Sequence, residues 1–283
     1  MTGCRSVSSP RRAPGADAVA DAVRFRFAKQ GKVRFTSHRD LARMWERALR
    51  RSGLPVAWSQ GFSPRLMISF GLALPTGCES VAEYLDVHVP EPGAPSWGLD
   101  VAEGPAEARA GNVRAGALCA RLSALLPEGV EVSAAEAVAG GGGSLQQEVT
   151  SCSWELEVLG LAAGELAGRV ERFLDAPSVL VQRERKGRLD EDDLRPAVRS
   201  LSVVGPAPFG PDGAPGSRLQ AELATHPRGV RPAELMQGLG ADLVLRRACR
   251  TQQWIERDGR RWEPLVVTSA AQQTDAPHAR RAS

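Results

Sequence analysis

A loop early in the chain, within 59-SQGFSPRLMISFG-71, carries polar and aromatic groups that suit ligand binding better than a hydrophobic core. A cation, hydroxyls, an amide, backbone N–H groups and one aromatic ring are supplied by Ser59, Gln60, Gly61, Phe62, Ser63 and Arg65. Such a set can grip a nucleotide or the end of a peptide, with the ring as a stacking platform. The alternative is a rigid turn whose Phe62 ring packs into the core, and the sequence leaves both interpretations open.

A second candidate site is the start of a predicted helix at Ser37, His38, Arg39 and Asp40. Helix capping accounts for Ser37 as the N-cap and for Asp40 three positions later. It leaves His38 and Arg39 without a structural role at the positive end of the helix, which is a natural anion site. We expect this helix end and the 60–63 loop to approach one another and form one anion-binding pocket.

A third polar group lies in the second half of the chain, where charges of both signs follow one another closely. Its members are Arg183, Arg185, Lys186, Asp193 and Arg195. They are candidates for binding, although an ion-paired, solvated loop is the simpler interpretation of so mixed a segment.

The cysteines and histidines do not form a recognisable metal or catalytic motif. The five cysteines have no CxxC or related spacing, and the four histidines lie far apart in the sequence. No P-loop, dinucleotide-binding glycine pattern or Ser-His-Asp order is present. We therefore expect no cofactor and no metal in this chain, and the sequence assigns no catalytic residue.

Composition limits the class of protein. The formal net charge of +3 is too small to indicate a polyanion partner by itself. An odd number of unframed cysteines favours a reducing compartment, and no run approaches the roughly 20 apolar residues of a membrane span. These features predict a cytoplasmic protein without membrane contact, and they leave its oligomeric state open.

The elements that must position these residues fall into two similar series. In the first, alternation over 23–37 predicts a hairpin or one bent strand around Gly31, followed by a helix over 38–52 that ends at Gly53. Apolar positions of this helix form one face, and its arginines cluster on the rest of its surface. Further predicted elements are strands at 55–59, 66–70 and 80–89, a helix near 113–125 and a strand at 129–134.

The same order returns after a run of glycines, with strands at 152–159, 178–183, 217–224 and 242–249 and helices at 165–174 and 231–238. The sequence thus predicts an α+β protein made of two ferredoxin-like (βαββαβ) halves in pseudo-tandem. We place a disordered N-terminus at 1–20, the first half at 21–139, a Gly-rich linker at 140–148, the second half at 149–268 and a disordered tail at 269–283. A charged insertion that is rich in Gly and Pro occupies 184–217, and we expect 205–217 to lack regular structure.

One long block of sequence, FTSHRDLARMWERALRRSGLPVAWSQGFSPRLMISFGLALPTGCESVAEYLDV at 35–87, resembles the radical SAM-linked protein family of bacteria. The segments 183-RERKG-187, 193-DLRP-196 and 250-RTQQW-254 resemble the second half of that family. The chain departs from the family pattern at Arg65, Leu66 and Met67, where the family usually has a His-Pro-basic step. Cys78 replaces an expected aliphatic residue, which predicts a small buried hydrophobe.

The resemblance implies a partner more clearly than a reaction. Members of this family are fused to, or encoded beside, radical SAM proteins that often carry a cobalamin-binding-like region. The implied partner would therefore hold the iron–sulfur cluster, S-adenosylmethionine and, where that region is present, cobalamin. We therefore expect a non-catalytic accessory or substrate-recruiting protein that works with a radical SAM enzyme, in RNA or translation-linked modification, with RNA as a possible second partner. The alternative is a freestanding RNA-binding or RNA-modifying enzyme whose active site is not recognised.

Overall fold

The computed structural model describes residues 22–91, 93–97, 99, 113–138, 144–185 and 187–265 of the chain. In the first part of the sequence the elements are β1 (Ala22–Lys29), α1 (His38–Ser52), β2 (Ile68–Phe70), β3 (Glu79–His88), α2 (Val113–Ser123) and β4 (Val130–Val138). In the second part they are α3 (Leu145–Glu148), β5 (Val149–Leu159), α4 (Ala163–Asp175), β6 (Leu180–Arg185), β7 (Arg188–Asp193), β8 (Val198–Ala207), β9 (Gly216–Ala224), α5 (Pro232–Leu239), β10 (Val244–Arg257) and β11 (Arg260–Trp262). Short 3-10 helices cover Gly31–Phe35, Ala94–Trp97 and Arg195–Ala197.

Most of the described strands join one large sheet, so the predicted α+β class is confirmed. The sheet has nine strands in the order β4-β1-β3-β10-β5-β9-β8, with β2 beside β3 and β11 beside β10. Strands β6 and β7 form a separate two-stranded hairpin. Neighbours in the large sheet run antiparallel, except that β10 runs parallel to β3 where Cys249 and Arg250 pair with Glu79 and Ser80.

Two main hydrophobic cores lie along this sheet, in addition to a smaller third cluster. The first contains Phe25 and Phe27 of β1 and Trp45 of α1, whose rings are in contact, with ring centroids 5.1 Å apart for Phe27 and Trp45. The second contains Trp154 of β5 and Phe173 of α4, together with residues of β8, β9 and α5. Cys78 is buried in the second core, as the sequence predicts for a small hydrophobe.

Helix α1 begins and ends where the sequence predicts. Its N-cap is Ser37, and Gly53 follows its end with φ of 66° and ψ of 13°, in the left-handed conformation that glycine tolerates best. Leu41, Trp45 and Leu49 are buried against the first core. The spacing of apolar residues therefore fixes which side of α1 faces solvent.

The strand predicted over 23–37 is wrong beyond Lys29. The chain leaves β1 there and turns into the 3-10 helix Gly31–Phe35, with Gly31 at φ +67°. The strand predicted at 55–59 is also wrong, because the structure contains only an isolated bridge between Trp58 and Leu66 at this place. In both cases short alternating patterns occur without a strand partner of matching length.

The predicted insertion at 184–217 is more regular than expected. Its charged part forms the β6-β7 hairpin, and β8 rather than the predicted strand at 178–183 joins the large sheet. The expected lack of structure over 205–217 is wrong at both ends, since β8 extends to Ala207 and β9 begins at Gly216. Within the predicted 140–148 linker, residues 145–148 form α3; the predicted disordered ends, 1–20 and 269–283, and the glycine run lie outside the described residues.

Candidate functional site

The start of α1 is a capped helix end with a histidine beside it. The Ser37 hydroxyl donates to the Asp40 carboxylate at 2.7 Å and accepts from the Asp40 backbone N–H at 3.1 Å. The hydrogen bond from Ser37 lowers the pKa of Asp40 below its usual range. The His38 ring packs edge-on against Phe70, with centroids 5.0 Å apart, and Arg39 is exposed beside it. The capping roles of Ser37 and Asp40 are confirmed.

The solvent-facing side of α1 carries exposed arginines along the helix, which we call the basic stripe: Arg39, Arg43, Arg47, Arg50 and Arg51. Two of them are paired within the helix, Arg43 with Asp40 and Arg50 with Glu46, each at 3.3 Å. The other three have no ion pair among the described residues. Exposed pairs of this kind contribute little energy and exchange easily, so the whole stripe is available to an anionic partner.

The 59–65 loop projects from the surface. At its base, Ser59 N–H donates to the Arg65 carbonyl at 2.8 Å, and Arg65 N–H donates to Ser59 Oγ at 3.0 Å. The Phe62 side chain at its tip is fully exposed, with a relative accessibility of 110%, so the alternative of a ring packed into the core is wrong. The other exposed members of the loop are Gln60, Gly61, Ser63, Pro64 and Arg65.

The loop lies at the far end of α1 from His38. Its base residue Trp58 is 47% exposed, and the Arg50 guanidinium lies 5.7 Å from the Trp58 ring centroid in the last turn of the helix. His38, in the first turn, contacts Phe70 instead. At about 1.5 Å per residue, His38 and Arg50 are about 18 Å apart along the helix axis. The expected single pocket of His38, Arg39 and the loop is therefore wrong, and the basic stripe connects the two groups.

The candidate residues of the second half have structural partners. Arg183 lies 3.3 Å from Glu234 and 3.9 Å from Asp192, and it ties the β6-β7 hairpin to α5. Asp193 accepts hydrogen bonds from the N–H groups of Val179 and Arg195, which lower its pKa.

Arg195 also serves as a structural anchor. Its guanidinium donates to the Leu174 carbonyl at 3.1 Å, near the end of α4, and to the Val198 carbonyl at 3.1 Å. Lys186 and the side chain of Arg185 lie outside the described residues. Among the described members of this group, the structure therefore brings Arg183, Asp193 and Arg195 into contacts that hold elements together.

The residues that sequence reasoning missed lie buried where β3 meets β10. The Arg250 guanidinium binds both oxygens of Glu83, at 2.6 and 2.8 Å, and donates to the Leu72 carbonyl at 2.8 Å. The side chains of Arg250 and Glu83 are only 3% and 7% exposed. Burial alone would lower the pKa of Arg250, but the Glu83 carboxylate raises it on balance and so favours the charged guanidinium. Both residues lie in segments that carry the family resemblance, 35–87 and 250–254, but nothing in their local pattern indicates that they are buried.

Two further buried charges extend this polar junction. Lys29 donates to the Thr36 carbonyl at 2.9 Å, and burial lowers the pKa of its ammonium group. Glu79 accepts from the Gly31 N–H at 2.9 Å and from Arg247 at 2.6 Å. Burial would raise the pKa of Glu79, but these hydrogen bonds lower it overall.

Two connected depressions open beside the junction. A cleft of about 720 Å³ is lined by His38, by the 73–78 segment and by Arg231. A smaller cavity of about 200 Å³ shares Ala73, Pro75 and Arg231 with the cleft and reaches Trp154 and Arg250. The structure thus places one residue of the sequence-predicted site, His38, on a cleft whose other walls the sequence did not indicate.

The described residues contain no group of three or more His, Cys, Asp or Glu side chains placed to hold a metal ion. Cys78, Cys119, Cys152 and Cys249 are buried. Burial raises the pKa of the Cys119 and Cys249 thiols to about 11, which keeps them protonated at neutral pH. No helix in the described ranges is long and apolar enough to cross a membrane.

Comparison with known proteins identifies one family. A family model described as "Uncharacterized protein conserved in bacteria (DUF2344)" matches residues 22–97 and 107–232, which is more than half of the chain. The matched ranges include α1, the 59–65 loop and Glu83, and they end before β10. No curated protein matches the chain.

Proposed function

Because the chain belongs to this family of uncharacterized proteins conserved in bacteria (DUF2344), its function has to be inferred from its surface, and we propose that it is a non-catalytic protein that binds RNA and recruits it as a substrate. The observation that carries the proposal is the basic stripe of α1, which has exposed aromatic rings at both ends. Phe35, 63% exposed, precedes the first turn of α1, whereas Trp58 and Phe62 follow the last turn.

This combination matches the chemistry of single-stranded RNA. Arginines neutralise phosphates and release condensed counterions, which gives affinity without sequence preference. Exposed rings stack on unpaired bases, and this stacking tolerates any base. Both residue types are positioned on one helix and its flanking turns, so one strand of RNA along α1 can reach them together.

The reaction is assigned to a partner. We propose a radical SAM enzyme, because the sequence of 35–87 resembles that of proteins linked to such enzymes. The iron–sulfur cluster, S-adenosylmethionine and any cobalamin would belong to that partner, since the described cysteines of this chain are buried and belong to no group of three or more potential metal ligands. This pairing places the protein in the bacterial cytoplasm, in RNA or translation-linked modification.

We also propose that the two parts of the sheet are ferredoxin-like halves. In each, numbering the large-sheet strands in sequence order gives the spatial order fourth, first, third, second: β4-β1-β3-β2 and β10-β5-β9-β8. That arrangement with two helices per half supports a duplicated βαββαβ unit, with the β6-β7 hairpin as an insertion.

The RNA proposal is tested by fluorescence anisotropy with a labelled single-stranded RNA over a range of salt concentrations. Arg39→Ala should weaken binding by about 1–3 kcal/mol and reduce the salt slope by about 1. Phe62→Ala should weaken binding by about 1–3 kcal/mol without changing the salt slope. Because both side chains are exposed, neither change should lower the melting temperature measurably.

Arg172→Ala is the matched control, because Arg172 is an exposed arginine on α4, away from the stripe. RNA binding that is absent, or that falls equally with Arg172→Ala, would contradict the proposal. Affinity purification from the native bacterium, with and without ribonuclease, tests the partner. Recovery of a radical SAM protein in both samples supports the recruiting role, whereas recovery of RNA alone favours a freestanding RNA-modifying enzyme.

A further inference from the structure

The cavity of about 200 Å³ beside the junction of β3 and β10 differs from the surface of α1 in both shape and chemistry. Its lining includes Leu72, Pro75 and Val230, together with Trp154 and Arg250, which are buried and therefore mark its inner end. Ligand sites usually enclose about 300–1,000 Å³. Because this cavity is smaller than that range, it suits a single ring system, and the adjoining cleft leaves room for a substituent.

The inner end of the cavity carries a hydrogen-bond donor with no strong acceptor. Nε and Nη2 of Arg250 are engaged by Glu83 and by the Leu72 carbonyl. Among the described residues, the one hydrogen-bond partner of Nη1 is the Cys152 sulfur at 4.0 Å, and a thiol is a weak acceptor. Because Glu83 already neutralises the guanidinium, the group that completes the bonding of Nη1 should be a neutral acceptor such as a carbonyl or ring nitrogen.

Walls next to this donor favour a flat, apolar body. The Trp154 ring lies beside the guanidinium, with its centroid 5.7 Å from Arg250 Cζ. Leu72 and Val230 supply aliphatic surface to the cavity. A heteroaromatic ring can fill such a slot and present an acceptor at its edge.

The outer end of the cavity carries a positive charge that is not neutralised, in contrast to the inner end. Arg231 lines both the cavity and the larger cleft, is exposed, and has no ion pair in the part of the chain that the structure describes. His38 also lines the cleft. An anionic substituent is therefore favoured at the mouth, where a guanidinium binds phosphate in a fork geometry.

From these three features we propose that the cavity binds a nucleotide, with the base beside Trp154 and Arg250 Nη1 and the phosphate at Arg231. The site is separate from the basic stripe and does not depend on RNA binding there. The nucleotide has two possible sources, a free mononucleotide or the phosphorylated end of an RNA, and both present the same chemistry to the cavity.

The test is isothermal titration calorimetry of the full chain with AMP, GMP, CMP and UMP and with the corresponding nucleosides. At least one mononucleotide should bind with 1:1 stoichiometry, and its nucleoside should bind at least tenfold more weakly. Arg231→Ala should weaken binding of the mononucleotide at least tenfold and leave binding of the nucleoside unchanged.

A blocking variant tests the location. A Cβ atom at Gly229, which lines the cavity, would meet no atom within 4 Å, so Gly229→Leu should fold normally, and we expect its side chain to occupy the cavity. It should abolish binding of the mononucleotide, whereas Arg172→Ala on α4 should have no effect. Failure of all four mononucleotides to bind, or unchanged binding in a folded Gly229→Leu protein, overturns the proposal. Competition between the bound mononucleotide and a 5′-phosphorylated RNA identifies an RNA end as the source, and its absence identifies the free nucleotide.

Discussion

At the scale of single residues, exposed charged side chains can be recognised from the sequence, whereas buried ones cannot. The arginines of α1 are solvated, and their type and spacing are visible in the sequence. Arg250 and Glu83 are about as buried as core leucines, yet nothing in their local sequence separates them from surface residues. Burial of a charge depends on residues from distant parts of the chain, 167 positions apart for this pair. Sequence reasoning therefore found the exposed candidates and missed the buried ones.

The buried pair leads to a prediction about stability. Glu83→Gln leaves the Arg250 charge without its carboxylate although the Arg250 side chain is almost fully buried. Breaking a buried pair in this way should lower the free energy of unfolding by about 3–5 kcal/mol. Urea denaturation at pH 7 measures the change.

The control is Glu157→Gln, which removes the partner of Arg246, a pair whose side chains are 19% and 35% exposed. We expect a loss of no more than about 1 kcal/mol there. Equal losses for the two variants would mean that the buried Arg250–Glu83 pair contributes no more to stability than a partly exposed pair.

At the scale of elements, the sequence predicts correctly those helix boundaries that depend on neighbouring residues. Helix α1 has its cap, its terminal glycine and its apolar period within 17 residues, from Ser37 to Gly53. Strand β8 was missed because it contains Gly205 and Pro206, which normally argue against a strand. It lies at the edge of the sheet, where a missing N–H is tolerated. Strand β10 continues eight residues beyond its predicted end at Cys249, since its buried Arg250 and Gln253 bond to the other part of the sheet.

Glu79 connects three of these elements, and its lowered pKa predicts that the stability of the fold depends on pH. It accepts hydrogen bonds from Gly31 at the first 3-10 helix, from Arg34 and from Arg247 of β10. Because its pKa is lower in the folded protein than the ordinary 4.5, its contribution to stability is present above that pH. The contribution is lost as the pH falls through the folded-state pKa.

Urea denaturation of the wild type and of Glu79→Gln between pH 7 and pH 3 tests this dependence. The difference in free energy of unfolding should be largest near neutral pH and shrink below about pH 4.5, where a protonated Glu79 resembles glutamine. A difference that stays constant over the whole range would show that Glu79 acts through its shape and not through its charge.

At the scale of the whole molecule, the two main hydrophobic cores lie on one sheet whose two parts meet only at the junction of β3 and β10. We call this short junction the seam. Only two residue pairs join β3 to β10, Glu79 with Cys249 and Ser80 with Arg250. Polar bonds strengthen the seam, among them Ser80 to the Arg250 carbonyl at 3.2 Å and Gln253 to the Ala82 carbonyl at 2.6 Å. Since these groups are buried, separating the two parts of the sheet would either expose them to water or leave them without hydrogen-bond partners.

The seam therefore predicts cooperative unfolding of the described sheet. Differential scanning calorimetry should show one transition with calorimetric and van't Hoff enthalpies in agreement. Native-state hydrogen exchange should give similar free energies of opening for amides of β1 and β5, one from each side of the seam, because the buried charges cannot be separated without unfolding both cores. In Glu83→Gln the seam loses its central ion pair, and the two strands should then differ in protection. Two calorimetric transitions in the wild type, or β1 and β5 amides that differ by more than about 2 kcal/mol, would mean that each core folds without the other.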